Sequence, residues 1–308
     1  MAGREKLLIT GGLGNLGSWL TMHFSDIFEV YVLSRKAEYN LNANYKIIEC
    51  DITDIDMLRE KLKVGFDYCI HAASYNEFFH DGYAEKALMI NSLGTRNLIE
   101  VFKDSPLKKF IYLSTFHVYG ASSGIINEES PLSPKNDYAS THLFAEYYLK
   151  QFYDSDDFPS VIFRLTNSYG APKYTESSKW YLVLNDLVRS AYESNKIVLK
   201  GNGKVSRDFI WMGDVCSILE KSFHFDNNTL LNLSSNKTYS MLELARRVQE
   251  VYHHRYKQKI SIELNEEDKT VSSLLEVDNS KLLQKIDFEF SDKLDDEINS
   301  IFTLLESI

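Results

Sequence analysis

Gly11, Gly14 and Gly17 stand three residues apart, directly after the apolar run Lys6–Thr10 and directly before the apolar positions Trp19, Leu20, Met22 and Phe24. The run has the composition of a strand buried in a parallel sheet, and the segment beyond the glycines that of a helix with one apolar face. A strand, a glycine turn and a helix start in succession suit a phosphate ligand. The first glycine permits the tight turn, and the second lets the backbone approach a pyrophosphate. The third lets the helix pack close while its N–H groups face the charge. A plain glycine-rich turn carries the same letters, so the flanking strand and helix are what favour a dinucleotide. The next strand, 28–33, ends in Ser34 and Arg35 with no acid beside them. An acid there would bind a ribose diol and an arginine a 2'-phosphate, which favours NADP slightly over NAD; a solvated surface arginine is the plain alternative. Asp51, with Ile52 after a third strand Tyr45–Glu49, is placed to accept an adenine amino group or to cap the helix beginning near Asp54. Ala72 and Ala73, with Ser74 at the end of a fourth strand 66–71, leave room for ribose and phosphates.

Strand-like and helix-like segments alternate through the first half of the chain, as an α/β fold with a doubly wound parallel sheet requires. A helix over 85–101 and a strand over 109–113 continue the series, then a helix over 138–153, a polar turn at 154–157 and a strand Ser160–Leu165. With 308 residues the chain can bury a large core. The reading is a Rossmann-type domain over 1–165 and a smaller C-terminal substrate-binding lobe over 166–308, interwoven with the last sheet strands. A formal net charge of -10 disfavours a general nucleic-acid or anionic-membrane surface. Cys50, Cys69 and Cys216 are too few and too scattered for a disulfide framework or zinc site, so no metal is expected. With no signal-like apolar core near Met1 and no run of membrane-spanning length, a soluble cytoplasmic protein is expected.

The fifth strand runs into Ser114-Thr115-Phe116-His117-Val118-Tyr119-Gly120. With the glycine turn and Tyr138-Ala139-Ser140-Thr141-His142, and with segments 163–170, 207–214 and 232–244 following in order, the chain resembles the extended short-chain dehydrogenase/reductase family, in its nucleotide-sugar epimerase/dehydratase branch. That resemblance implies NAD or NADP as cofactor and hydride transfer on a nucleotide diphosphate-sugar, at sugar C4, in carbohydrate biosynthesis. It puts Tyr138 in the position of the base and Thr115 in that of the hydroxyl-orienting partner. It adds Asn15, Leu16, Ile52, Asn91 and Ser114 to the cofactor site, and assigns Asn167 and Arg207 to the substrate diphosphate. For Arg207 an ion pair with Asp208 is the competing role.

The family's lysine, one helical turn after the tyrosine, is His142 here. Three readings stay open. In the first, His142 is a titratable ribose anchor whose pKa Glu146, a turn further on, raises, so that the rate changes between about pH 6 and 7.5. In the second, activation is weakened. In the third, catalysis is lost and a dinucleotide or sugar-nucleotide binding protein remains. His117 lies where related epimerases carry a proton-transfer residue, and is an acid/base candidate or a pocket lining. Water-eliminating relatives carry an acidic pair where Phe116 and His117 stand, so 4,6-dehydration is disfavoured. Apolar stripes on the helices near 84–102 and 138–153, with Phe144, Tyr147, Tyr148 and Phe152 on the second, imply a homodimer or plain core packing.

Overall fold

The computed structural model describes residues 3–35, 44–77, 80–173, 179–271 and 274–307. The chain divides into two compact units, the first comprising 1–120, 128–165 and 216–233, the second 121–127, 166–215 and 234–308.

The first unit is built on seven strands: β1 (Lys6–Thr10), β2 (Glu29–Ser34), β3 (Tyr45–Glu49), β4 (Tyr68–His71), β5 (Lys109–Thr115), β6 (Ser160–Leu165) and β7 (Thr229–Leu233). They form one wholly parallel sheet in the order β7-β6-β5-β4-β1-β2-β3. Leu7, Leu8 and Ile9 on β1 are fully buried, which is why the strand reads as a continuous apolar run. Strand order reverses between β1 and β4, and at such a switch point the strand ends leave a crevice for a ligand.

Helices α1 (Asn15–Phe24), α2 (Ile55–Lys61), α3 (Tyr83–Ala87), α4 (Thr95–Asp104) and α5 (Asp137–Asp156) belong to this unit, as does most of the helix Met212–Ser222. Leu98 and Phe102 of α4 and Ala145, Leu149 and Phe152 of α5 share one core with Cys69, Phe110 and Tyr112 of the sheet. Where one helix was expected over 85–101, α3 passes into α4 through a wider π-helical turn, Leu88–Gly94. A π-turn swings its side chains off the regular helical face and recurs at functional sites. Helix α5 starts on the side-chain cap of Asn136, which accepts from Ala139 N at 2.8 Å. It continues through 154–156, where a turn was expected, and stops at Asp157 in the left-handed region (φ 53°).

The second unit carries a three-stranded sheet in the order Thr238–Ser240, Ser206–Trp211, Asn167–Tyr169. Its core joins Leu187, Val188, Leu244, Val248, Ile298 and Phe302 from the helices Val183–Ser194, Met241–Tyr256 and Leu294–Glu306. No described helix is long and apolar enough to cross a membrane. The three cysteines are buried and none is in a disulfide, and the described residues contain no metal-binding cluster of His, Cys, Asp and Glu.

Candidate active site

The glycine turn is built for close approach. Gly11 has φ +69°, and a Cβ on it would lie 2.7 Å from Ala73 Cα; a Cβ on Gly17 would lie 1.9 Å from Gly11 O. The ends of β1 and β4 and the start of α1 are thereby drawn together. Gly14 is the N-cap of α1 and no side chain caps the helix, while the Oδ1 atom of Asn15 is buried without a partner. Unsatisfied helix N–H groups, an orphaned acceptor and a cradle that a methyl group would fill all fit a dinucleotide pyrophosphate with its riboses. Leu16, half-buried in the same turn, offers its backbone.

Arg35, exposed at the end of β2 beyond the half-buried Ser34, has no side-chain partner among the described residues. Asp54, not Asp51, caps α2, accepting from Met57 N at 2.9 Å. Asp51 Oδ1 accepts from Thr53 N and Thr53 Oγ1 at 2.9 and 2.8 Å, leaving Oδ2 for a ligand. Two cofactor expectations change here. The Ile52 side chain is in the core, where a Cβ on Gly94 would lie 2.6 Å from its Cδ1, and its carbonyl accepts from Asn97 Nδ2 at 3.0 Å, which leaves only its backbone N–H for a ligand. Asn91 is 1% exposed and fully committed: its Oδ1 accepts from Tyr75 N (2.6 Å) and its Nδ2 donates to Tyr75 O (3.1 Å) and Thr141 Oγ1 (3.0 Å). Thr141 Oγ1 in turn donates to Tyr138 O at 3.1 Å. The π-turn therefore positions the tyrosine helix and leaves Asn91 nothing for a cofactor. Ala72 N and Ala73 N donate to Thr10 O and Thr10 Oγ1, each at 3.2 Å, which fixes the small-residue floor.

At the C-terminal end of β5, Thr115 is buried and its Oγ1 accepts from His117 N at 3.2 Å, capping a single 3-10 turn, Phe116–Tyr119. Its own hydroxyl proton stays available. Tyr138, half-buried on the first turn of α5, has its ring 4.5 Å from that of His142 and 6.3 Å from that of His117. The sequence candidates Tyr138, His142 and His117 thus form one cluster.

The chemistry of His142 differs from the expectation. It is 1% exposed, with Nδ1 2.7 Å from Tyr112 Oη and Nε2 3.0 Å from Ser74 Oγ. Burial, with repulsion from His117 added, pushes its pKa down to about 3. Glu146 does not raise it, because Glu146 is taken: Arg164 binds it through Nη2 at 2.7 Å and Nε at 3.1 Å, and Ser114 Oγ donates to it as well. Burial opposes the Arg164 charge, but the Glu146 hydrogen bonds more than offset this and hold the guanidinium above its ordinary range. The Ser114 hydroxyl, expected at the cofactor, is likewise spent inside the fold. His142 is a neutral imidazole, and an ammonium-like tuner is absent from its position.

In the second unit, Asn167 and Arg207 lie on neighbouring parallel strands, Asn167 opposite Phe209. Asn167 Nδ2 donates to Asp208 O at 2.9 Å. Arg207 forms no ion pair with Asp208. That carboxylate is enclosed by Thr166 Oγ1 and by Ser235 N at 3.2 Å. Burial pushes the Asp208 pKa up to about 6 against those hydrogen bonds. Arg207 has no hydrogen-bond or ion-pair partner among the described residues, and burial lowers its pKa. An arginine kept half-buried and unpaired is an anion site in waiting.

Three contributors escaped the sequence reading, Tyr112, His71 and Arg164, and Ser74 was read only as making room for the cofactor. Tyr112 and Ser114, two apart on one face of β5, meet His142 and Glu146, four apart on one face of α5. Overlaying the period of the strand on that of the helix would have flagged the pairs.

The pattern of the NAD dependent epimerase/dehydratase family matches residues 7–242. A dTDP-D-glucose 4,6-dehydratase of Dictyostelium discoideum is 30% identical over 281 residues, 79% of this chain and 61% of the relative's length. The chain thus spans less than two thirds of that relative. In fold, it superimposes with a TM-score of 0.85 on the UDP-N-acetylglucosamine 4-epimerase of Methanobrevibacter ruminantium (24% identity, 99% of each chain). The TM-score is 0.82 with the UDP-glucuronic acid 4-epimerase of Bacillus cereus, solved with UDP-glucuronic acid and NAD (20% identity, 98% of this chain and 99% of that one). The dehydratase relative overturns the expectation, drawn from Phe116 and His117, that 4,6-dehydration is disfavoured. Proton transfer needs a group within hydrogen-bond reach, and two adjacent positions do not exhaust the groups that can reach. With a Rossmann-type sheet, a glycine cradle and a family pattern over most of its length, the chain belongs to the NAD dependent epimerase/dehydratase family.

Proposed function

We propose that this protein acts on a nucleotide diphosphate-sugar by NAD-dependent oxidation at the sugar C4, the position named for both the 4,6-dehydratase and the 4-epimerases it resembles. The observation that carries the reading is the cluster of Tyr138, His142 and His117 beside Thr115, in a unit whose glycine turn suits a pyrophosphate. A bound nicotinamide supplies the hydride acceptor. Tyr138 takes the proton of the sugar hydroxyl, and Thr115 holds that oxygen with its free O–H. Gly11, Gly14, Asn15, Leu16 and Gly17 hold the pyrophosphate, Asp51 the adenine, and Asn167 and Arg207 the substrate diphosphate. His117 is an acid/base candidate for whatever follows oxidation. Arg35, with no acid beside it among the described residues, supports acceptance of NADP as well as NAD; Arg35→Asp is expected to remove binding of NADP while sparing that of NAD.

A homodimer is part of the same proposal. On the outer side of the first unit Leu88 and Met89 of the π-turn and Phe144 and Tyr147 of α5 are 40–55% exposed. Such an apolar surface on two helices suits self-association.

The test is incubation with NAD and dTDP-glucose, UDP-glucose or UDP-N-acetylglucosamine, with products identified by mass and NMR. Conversion of one of them, lost in Tyr138→Phe while NAD still binds, is the expected result. One observation favours a second reading, a binding protein without turnover: the imidazole beside Tyr138 is neutral, so this neighbour supplies no cation to activate the phenol. Under that reading none of the sugars is converted, and His142→Lys gains activity.

A further inference from the structure

The polar chain beneath Tyr138 is ordered by the hydrogen atoms available to it. Thr95 Oγ1 donates to Asn91 O at 2.6 Å, so toward His71 Nε2, 2.8 Å away, it can only accept. His71 therefore carries its proton on Nε2, and its Nδ1 accepts from Thr10 Oγ1 at 2.6 Å. His71 is fully buried and neutral, its pKa pushed down to about 3 by burial and then by His142. The neighbouring rung is Tyr112, which stacks between His71 and His142, with ring centroids 5.4 and 5.8 Å away. Tyr112 is 1% exposed; its hydroxyl lies 2.7 Å from His142 Nδ1 and also faces Thr95, whose oxygen is already engaged with His71 Nε2 and Asn91 O. If the phenol accepted from Nδ1, its own buried proton would have only that crowded oxygen to go to. Donation to Nδ1 makes the short, unshared bond. The single proton of the neutral His142 then lies on Nε2 and is given to Ser74 Oγ, 3.0 Å away. Ser74 is exposed, immediately beyond the Ala72–Ala73 floor against which Gly11 packs, and its O–H is left to point outward.

We propose that Tyr112 and His142 are positioning residues that orient the Ser74 hydroxyl as a hydrogen-bond donor to the cofactor ribose, a neutral relay in the place of a lysine ammonium. The inference rests on the reading that NAD is bound beside Tyr138. It accounts for a histidine that is buried and uncharged yet hydrogen-bonded at both ring nitrogens, and for a tyrosine on a strand that otherwise needs only an apolar side chain there.

The test uses the full-length protein labelled with 15N-histidine, and calorimetric titration with NAD. In the wild type, His142 should show a protonated Nε2 and a bare Nδ1, unchanged between about pH 5 and 8. In Tyr112→Phe the Nδ1-protonated form should appear. Ser74→Ala, a change at an exposed residue, should weaken NAD binding about fivefold, the worth of one hydrogen bond. Tyr112→Phe should weaken it similarly, and the double variant no further than the larger single change, because both break one relay. A proton on His142 Nδ1 in the wild type, or single effects that multiply in the double variant, overturns the proposal. Both readouts are independent of turnover. Coupled loss of NAD affinity without conversion of any sugar nucleotide would sink the proposed reaction and leave the relay; conversion with uncoupled effects does the reverse.

Discussion

In the proposed reaction Tyr138 loses a proton from a phenol whose ordinary pKa is near 10, and an adjacent ammonium would lower it by about one to three units. Neutral His142 supplies no such field. The rate of hydroxyl oxidation should therefore rise with pH through the neutral range, with no inflection contributed by His142 between about pH 6 and 7.5. In His142→Lys the rise should move to lower pH by about one to three units. Profiles of kcat against pH for the two proteins check this, and a histidine-like inflection that is lost in His142→Gln but kept in His117→Gln would contradict the buried neutral state. The titratable groups facing His142 are Tyr138 on its own helix, His117 on the turn after β5, Tyr112 on β5 and His71 on β4. His71 shares the burial that keeps His142 uncharged, and burial raises the Tyr112 phenol well above its usual range.

Among the elements, the glycine turn and the π-turn do the positioning. A methyl group at Gly17 would sit 1.9 Å from Gly11 O, which is backbone and cannot swing aside. Gly17→Ala should thus lower stability by about 1–3 kcal/mol and abolish measurable NAD binding, read by thermal unfolding with and without NAD. Asn91→Ala removes three hydrogen bonds that join the Tyr75 segment, the π-turn and the start of α5. With Tyr75 N and Thr141 left short of partners, a loss of about 1–3 kcal/mol is expected. Because Thr141 holds the Tyr138 carbonyl, kcat should fall more than NAD affinity does. The contrast between the two variants separates an element that holds the cofactor from one that aims the phenol.

For the whole molecule, the two buried histidines set the acid limb of stability. As pH falls below about 6.5 the unfolded chain protonates both, while the folded chain, with values near 3, does not. Stability is therefore lost on acidification, by up to about 1.4 kcal/mol per pH unit for each histidine. Asp208 acts with the opposite sign: raised to about 6, it binds its proton earlier in the folded state and stabilises the second unit below that pH. Urea unfolding at about pH 7.5 and 6 should show the histidine loss, in the first unit, before Asp208 offsets it in the second. In the assembly, Phe144→Asp should yield a monomer by sedimentation if the surface of Leu88, Met89, Phe144 and Tyr147 pairs two copies, with the thermal midpoint of the subunit little changed because Phe144 is exposed.

The strand Lys6–Thr10, the glycine turn and the alternation that follows were legible because they are local. Period, turn chemistry and chain order specify a parallel sheet wherever a run of apolar residues meets a glycine that must bend. The motif residues Thr115, Tyr138 and His142 were legible as well, being spaced along one strand end and one helix. Hidden was everything set by partners far apart in the chain: Glu146 given to Arg164 instead of His142, Asn91 turned inward, Asp208 closed off from Arg207, and Tyr112 placed under His142. Charge and proton position depend on burial and on which hydrogen bonds are already made. Those are properties of packed neighbours and not of spacing, so the amino-acid order announced an imidazole where a lysine was due, and only the tertiary fold made it neutral.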